Sequence, residues 1–359
     1  MSRDTIARIN VAAANHNLQI IRKQSGNAKI WAVVKADAYG HGASILAPQF
    51  IDCDGYAVAT LAEALELRQA KIDKPILLLE GCIFGDQSKI ALDNDLSLVL
   101  HCIEQIEDLE KYTQQGDYAD LTVWLKVDSG MHRLGFATHD IAVIFSRLEK
   151  IKGVKHVGLM SHFASADEIE NDFTQVQIDR LLQNLPQNCS LISMANSAAI
   201  FNYPESHNDW VRPGIALYGA TPIRSKSAKE LGLLPVMQLV APIIAIREIE
   251  AGESTGYGLS WTAQRHTKIA TVAIGYADGY PRTCKQGTPV FVNAQRAPLI
   301  GRVSMDMITI DVTDIDVSIY DEVELWGENV SVDEVATYCD TIGYELLTRL
   351  AKRVEHQYV

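Results

Sequence analysis

The feature that most constrains this chain is an alternation over its first two-thirds of short apolar runs and longer amphipathic stretches. The apolar runs fall at 30–34, 56–59, 76–79, 98–100, 121–127, 157–160, 191–194 and, least clearly, 209–212. Runs of this length, bounded by turn residues, are strands buried on both faces. Helical stretches lie between them. One opens at Thr60 with Glu63 three residues on, a reciprocal cap ahead of Leu61, Ala64 and Leu65. Parallel neighbours need a crossover, and helices supply it, so the alternation predicts a parallel sheet. Eight strand–helix units match the size of a (β/α)₈ TIM-type barrel. A doubly wound open sheet is the competing topology.

The pattern changes after Leu231. Segments 238–249, 268–274, 289–292, 307–312 and 319–325 read as strands, with Gly, Pro, Asn and Asp between them. Only 331–339 and 344–352 read as helices. The polar stretch 225–230 suits a linker. The expected organisation is an α/β chain: a barrel over 1–231, then a smaller, mostly β domain over 232–359.

Several function classes are set aside. The formal net charge of −13 argues against non-specific nucleic-acid binding, which needs cations to neutralise phosphates. No apolar run reaches membrane-spanning length, and MSRDTIARIN lacks the apolar core of a signal peptide. The six cysteines have long gaps and no C-x-x-C pair, which predicts neither a disulfide framework nor a zinc site. Free thiols in a cytoplasmic protein are the simple reading. No H-E-x-x-H or carboxylate cluster points to a metal.

The informative observation is where the unusual polar residues fall. Barrel chemistry collects at the C-terminal ends of the strands. Lys35 ends the first candidate strand, Arg133 follows the fifth, His162 ends the sixth, Asn196 and Ser197 follow the seventh, and Arg212 ends the eighth. A lysine partly desolvated by such a strand can act as a base or Schiff-base amine. Ser197, Gly214 and Ile215 suit an anion site, because loops after the last two barrel strands often bind phosphate. Lys126 lies inside an otherwise buried strand, where a charge is costly unless paired or modified. His41, His132 and His156 read as solvated or locally bonded.

The segments AVVKADAYGHG (32–42), KVDSGMHRLG (126–135), GLMSHFASAD (158–167), ANSAA (195–199), RPGIALYG (212–219), GYGLSW (256–261), IGYADGYPR (274–282) and GRVSMDM (301–307) span nearly the whole chain in order. Together they resemble the alanine racemase family of fold-type III pyridoxal 5'-phosphate enzymes. The resemblance implies a barrel plus a C-terminal β domain in a homodimer with shared active sites. It implies that Lys35 carries the cofactor as a Schiff base, and that Tyr39, Ser197, Gly214 and Ile215 contact its phosphate. Arg212 would face the pyridine nitrogen, and His162 would bond Arg212. Tyr257, from the second subunit, would be the second base. Arg133 and Met305 would lie near the substrate carboxylate, and Tyr276 and Asp306 at the entrance. Lys126 matches a lysine carbamylated in some members. Relatives often carry a further phosphate-binding tyrosine near the C-terminus, and the resemblance puts Lys352 of this chain at that position.

Racemisation removes a proton from one face of the α-carbon and returns one to the other, so two opposed acid/base groups are the direct solution. The resemblance makes these Lys35 and Tyr257, and alanine the substrate, with D-alanine serving peptidoglycan or alanine catabolism. The alternatives are a serine or broad-specificity racemase, a decarboxylase, and a non-catalytic cofactor-binding barrel protein.

Overall fold

The computed structural model describes residues 4–359. Its first sheet is parallel. It runs in the order Trp210–Val211, Lys29–Val33, Gly55–Val58, Ile76–Leu78, Leu96–Leu100, Leu121–Asp128, Val154–Met160 and Ile192–Ser193. Its ends meet. Ser193 Oγ donates to the Trp210 carbonyl at 2.9 Å, the Arg212 amide donates to the Ala195 carbonyl at 2.8 Å, and Asn196 bridges Arg212 in parallel. The sheet therefore closes as a barrel, and the doubly wound alternative falls. The two closing strands are only two residues long, because irregular backbone carries the remaining bonds.

The interior explains the glycine and tryptophan positions. Trp31 stacks on Trp210 at 4.1 Å and meets Trp124 edge-on at 6.4 Å. Trp31 and Trp124 sit on non-adjacent strands, so this contact crosses the barrel. Room comes from neighbouring strands: a Cβ on Gly55 would lie 2.3 Å from Trp31, and one on Gly158 2.5 Å from Trp124. Side chains alternate faces along a strand. Lys126 thus points the same way as Trp124, one layer toward the C-terminal rim.

The second sheet is built mostly of antiparallel strands. Its order is Thr267–Val272, Ile308–Asp311, Gln295–Ile300, Pro289–Val292, Glu322–Trp326, Met237–Ile249, Ile6–Ile9 and Glu355–Tyr358. Met237–Ile249 pairs with Glu322–Trp326 along its first half and with Thr267–Val272 along its second. A register shift between Ile243 and Ala245 lets it turn the corner. Ile6–Ile9 lies between Met237–Ile249 and Glu355–Tyr358, so the start of the chain belongs to this sheet rather than to the barrel. Short strands at both ends of a chain carry little periodicity, which hid them. Gln295–Ile300 was also unexpected, since it contains Pro298 and opens on polar residues.

One expectation is corrected. Cys284 and Cys339 form a disulfide, with Cα atoms 4.3 Å apart across 55 residues of sequence. Only the folded second domain brings them together, so their spacing was silent. Cys53, Cys82, Cys102 and Cys189 are free. Among the described residues no helix is long and apolar enough to cross a membrane.

Candidate active site

At the C-terminal rim of the barrel lies a cavity of about 620 Å³. Its wall includes Lys35, Tyr39, Lys126, Arg133, His162, Asn196, Ser197, Arg212, Gly214 and Ile215, the ten barrel residues that the sequence placed at the site. The sixth candidate strand ends in a cluster: Ser161 and His162 beside Arg212.

Arg212 is 5% exposed. Its Nη1 donates to Ser193 Oγ at 2.7 Å, and its Nη2 to the Ser161 and Met194 carbonyls at 2.6 and 3.1 Å. All these acceptors are neutral, and Nε takes no part in them. Burial pulls its pKa down to about 10, which still leaves a cation at neutral pH. His162 Nδ1 lies 3.3 Å from Arg212 Nη2. Guanidinium can only donate, so Nδ1 is the acceptor and the imidazole proton sits on Nε2. Burial, then the charges of Arg212, Lys126, Arg133 and Lys35, hold His162 well below the usual histidine range.

The Lys126 amine makes no hydrogen bond or ion pair with the chain among the described residues. Burial, then Arg212 and Arg133, push its pKa far down. Four basic side chains thus converge on one cavity, against Glu80 and Glu345 on its wall. That excess of cationic and donor groups fits an anionic occupant.

Lys35 opens an unusual turn. Ala36, Asp37, Ala38 and Tyr39 all adopt left-handed backbone, with φ between 52° and 54°. For non-glycine residues this costs about 1–2 kcal/mol each, so the surroundings must over-determine it. Part of the support comes from the predicted helix cap. Glu63 accepts from the Ala59 and Thr60 amides with one oxygen and from the Ala36 amide, at 2.7 Å, with the other. Asp37 accepts from Ala43. The turn delivers Tyr39 to a stack on Tyr218 at 4.8 Å, with its hydroxyl against Gly214. A Cβ on Gly214 would lie 2.4 Å from that oxygen. Ser197 Oγ accepts from the Gly214 amide at 2.8 Å. The tyrosine, the serine and the start of the Ile215–Tyr218 turn thereby form one polar corner, the cradle a phosphate needs.

The C-terminal candidates are not in this cavity. Tyr257 is 67% exposed, Met305 53% and Tyr276 41%. Asp306 pairs with Arg353 at 2.8 Å. They share one surface of the second domain: the Tyr276 and Ala277 amides bond the Ser304 and Met305 carbonyls, and Gly256 lies against Gly301 and Arg302.

Lys352 does not reach the cavity either; it is exposed. Tyr344 lines the cavity instead, 6.0 Å from the Tyr39 ring. The sequence signal was a tyrosine at the head of the last helix, Gly343–Thr348, further upstream than the position assigned. Glu63 and Tyr218 were also missed as site residues, because their partners are distant in sequence. Of the three histidines set aside, His132 bonds Asp128 and His156 is exposed, while His41 is fully buried and bonds its own turn.

Residues 9–222 match the model of the alanine racemase N-terminal domain, and 236–358 that of the alanine racemase C-terminal domain. An alanine racemase of Vibrio cholerae is 47% identical over 355 residues, 98% of this chain and 97% of that protein. The crystal structure of biosynthetic alanine racemase from Pseudomonas aeruginosa is 46% identical, with a TM-score of 0.95 over 99% of both chains. An alanine racemase from Bartonella henselae, solved with covalently bound pyridoxal phosphate, is 32% identical, with a TM-score of 0.88 over 99% of both chains. In fold, in the order of its motifs and over nearly its full length, this chain belongs to the alanine racemase family.

Proposed function

We propose that this protein interconverts L- and D-alanine with pyridoxal 5'-phosphate held on Lys35. The observation that carries the reading is Arg212: a buried cation with only neutral partners, in a cavity that opens on a strand-end lysine. When bound, the cofactor withdraws electron density from the substrate α-carbon and so loosens its proton. Tyr39, Ser197, Gly214 and Ile215 would hold the phosphate, joined by Tyr344. Arg212 would meet the ring nitrogen. A guanidinium cannot accept a proton, so Arg212 would leave that nitrogen unprotonated and weaken the electron sink. A weaker sink favours return of the proton to the α-carbon over side reactions.

Lys35 serves the D-alanine face and Tyr257 the L-alanine face. The exposure of Tyr257, Met305 and Tyr276 on one surface supports a homodimer in which they reach the partner's cavity. Arg133 and Met305 then meet the substrate carboxylate, and Tyr276 and Asp306 flank the entrance. Lys126, a buried amine beside two guanidiniums, suits carbamylation: its neutral nitrogen adds carbon dioxide and releases a proton, leaving an anion near Arg133 and Arg212. A ¹³C-carbamate signal that disappears in Lys126→Arg would support this; no signal would overturn it. Similarity to the biosynthetic Pseudomonas enzyme supports a role in supplying D-alanine for peptidoglycan.

The test is a chiral assay of the purified holoenzyme across several amino acids. Racemisation of alanine well ahead of serine and larger substrates is expected. Failure with alanine and turnover of a longer amino acid would overturn the substrate. No turnover of any would favour a cofactor-binding protein without catalysis. In Tyr257→Phe, α-deuterium exchange from L-alanine should fall far more than exchange from D-alanine; equal losses would sink the assignment of faces.

A further inference from the structure

The last strand of the chain reaches the first loop of the site. Glu355–Tyr358 pairs with Ile6–Ile9 in the second sheet, yet two of its side chains bond the turn that follows Lys35. His356 Nε2 donates to the Gly40 carbonyl at 2.9 Å, and the Tyr358 hydroxyl donates to the His41 carbonyl at 3.2 Å. From within the turn, His41 Nδ1 donates to the Ala38 and Tyr39 carbonyls at 3.0 and 2.9 Å. Four consecutive carbonyls, from Ala38 to His41, thus receive a side-chain donor, two from inside the turn and two from the end of the chain.

Shape agrees with bonding. Gly40 and Gly42 have φ of 79° and 85°. A Cβ on Gly42 would lie 1.9 Å from the Tyr358 hydroxyl, and one on Gly40 2.2 Å from the Leu347 carbonyl of the last helix. The second domain therefore presses on both glycines. Nothing in residues 35–42 favours four left-handed non-glycine residues in a row. The conformation needs outside support, and much of it comes from residues more than 300 positions away.

We propose that the C-terminal strand is a latch on the lysine turn, with His356 and Tyr358 as positioning residues that set where the Lys35 amine lies. The proposal rests on the reading of Lys35 as the cofactor lysine. Without the latch the turn relaxes toward ordinary backbone, and Lys35 leaves the position from which it moves a proton.

Three variants test it: Tyr358→Phe, which keeps the ring and loses the hydroxyl; His356→Ala; and His356→Gln, whose amide N–H can replace Nε2–H. Amide hydrogen exchange over 36–42 is followed in the cofactor-free protein, and kcat and KM in the holoenzyme. Loss of either bond should speed exchange over 36–42 about tenfold, the effect of one ordinary hydrogen bond, and lower kcat similarly with KM little changed. His356→Gln should restore both. Unchanged exchange over 36–42, a rise spread evenly over the chain, or a glutamine variant no better than alanine would overturn the latch. Borohydride reduction of the wild-type holoenzyme with peptide mapping keeps the two readings apart. Label on a residue other than Lys35 would remove the cofactor reading and the catalytic half of this proposal, leaving the exchange result to judge the latch itself.

Discussion

Arg212 Nη2 approaches His162 Nδ1 at 3.3 Å, and this contact fixes which nitrogen of the imidazole carries the proton. The guanidinium donates, the imidazole stays neutral, and its remaining proton is on Nε2. Replacing Arg212 by Gln removes the positive charge that disfavours imidazolium. The His162 pKa should then rise toward its ordinary value. NMR titration of His162 in Arg212→Gln checks this, and kcat should fall by about 10²-fold, as when a preorganised charged donor is lost. An unmoved His162 titration would mean that burial alone controls it.

Gly214 touches the Tyr39 hydroxyl so closely that no side chain fits. Gly214→Ala should displace the phenol and weaken cofactor binding by about tenfold or more, a cost in the usual range for overpacking. The clash is with the oxygen, so Tyr39→Phe should partly rescue the alanine variant while weakening binding on its own. Cofactor titration of the two single variants and the double variant reads the coupling. Additive losses would show that the two positions do not meet.

His41 is fully buried, and burial lowers its pKa from 6.5 to about 4. Between those values the unfolded chain takes up a proton that the folded chain refuses. Stability is therefore complete above pH 6.5 and declines as pH falls, by up to about 3 kcal/mol from this residue. Asp333 acts with the opposite sign, since burial raises its carboxyl to about 6. The comparison must therefore be with His41→Asn, which keeps a donor near Nδ1 but does not titrate. Urea midpoints at pH 7 and pH 4.5 should fall less steeply in the variant. Parallel slopes would mean that His41 titrates normally.

The Cys284–Cys339 bond closes a loop across 55 residues. Reduction, or Cys284→Ser, should cost about 2–4 kcal/mol of unfolding free energy. Urea unfolding with and without dithiothreitol measures it, and the variant should not respond to the reductant. Identical curves for the wild-type protein in both conditions would show that the thiols are free.

Much of the barrel could be read from pattern. Buried parallel strands are continuous apolar runs, so 30–34, 76–79 and 121–127 stood out and lie close to the observed Lys29–Val33, Ile76–Leu78 and Leu121–Asp128. The Thr60–Glu63 cap was legible because both its partners are local. Ile6–Ile9 and Glu355–Tyr358 were not, since each is short and becomes a strand only beside partners far away in sequence. Tyr344 was missed for a related reason: its place beside Tyr39 depends on how the last helix docks on the barrel.

By itself the sequence determined which residue types stand at the strand ends: Lys35, Arg133, His162, Ser197 and Arg212. Apolar periodicity and local motifs encode strand order, and a parallel barrel brings all its strand ends to one rim. Only the tertiary structure decided their chemical states. His162 and Lys126 are held toward their neutral forms by burial first, and then by the other cations that share their space. The turn after Lys35 stays left-handed because Glu63 and the end of the chain bond it. Charge state and backbone strain depend on neighbours in space, and those neighbours come from widely separated parts of the chain.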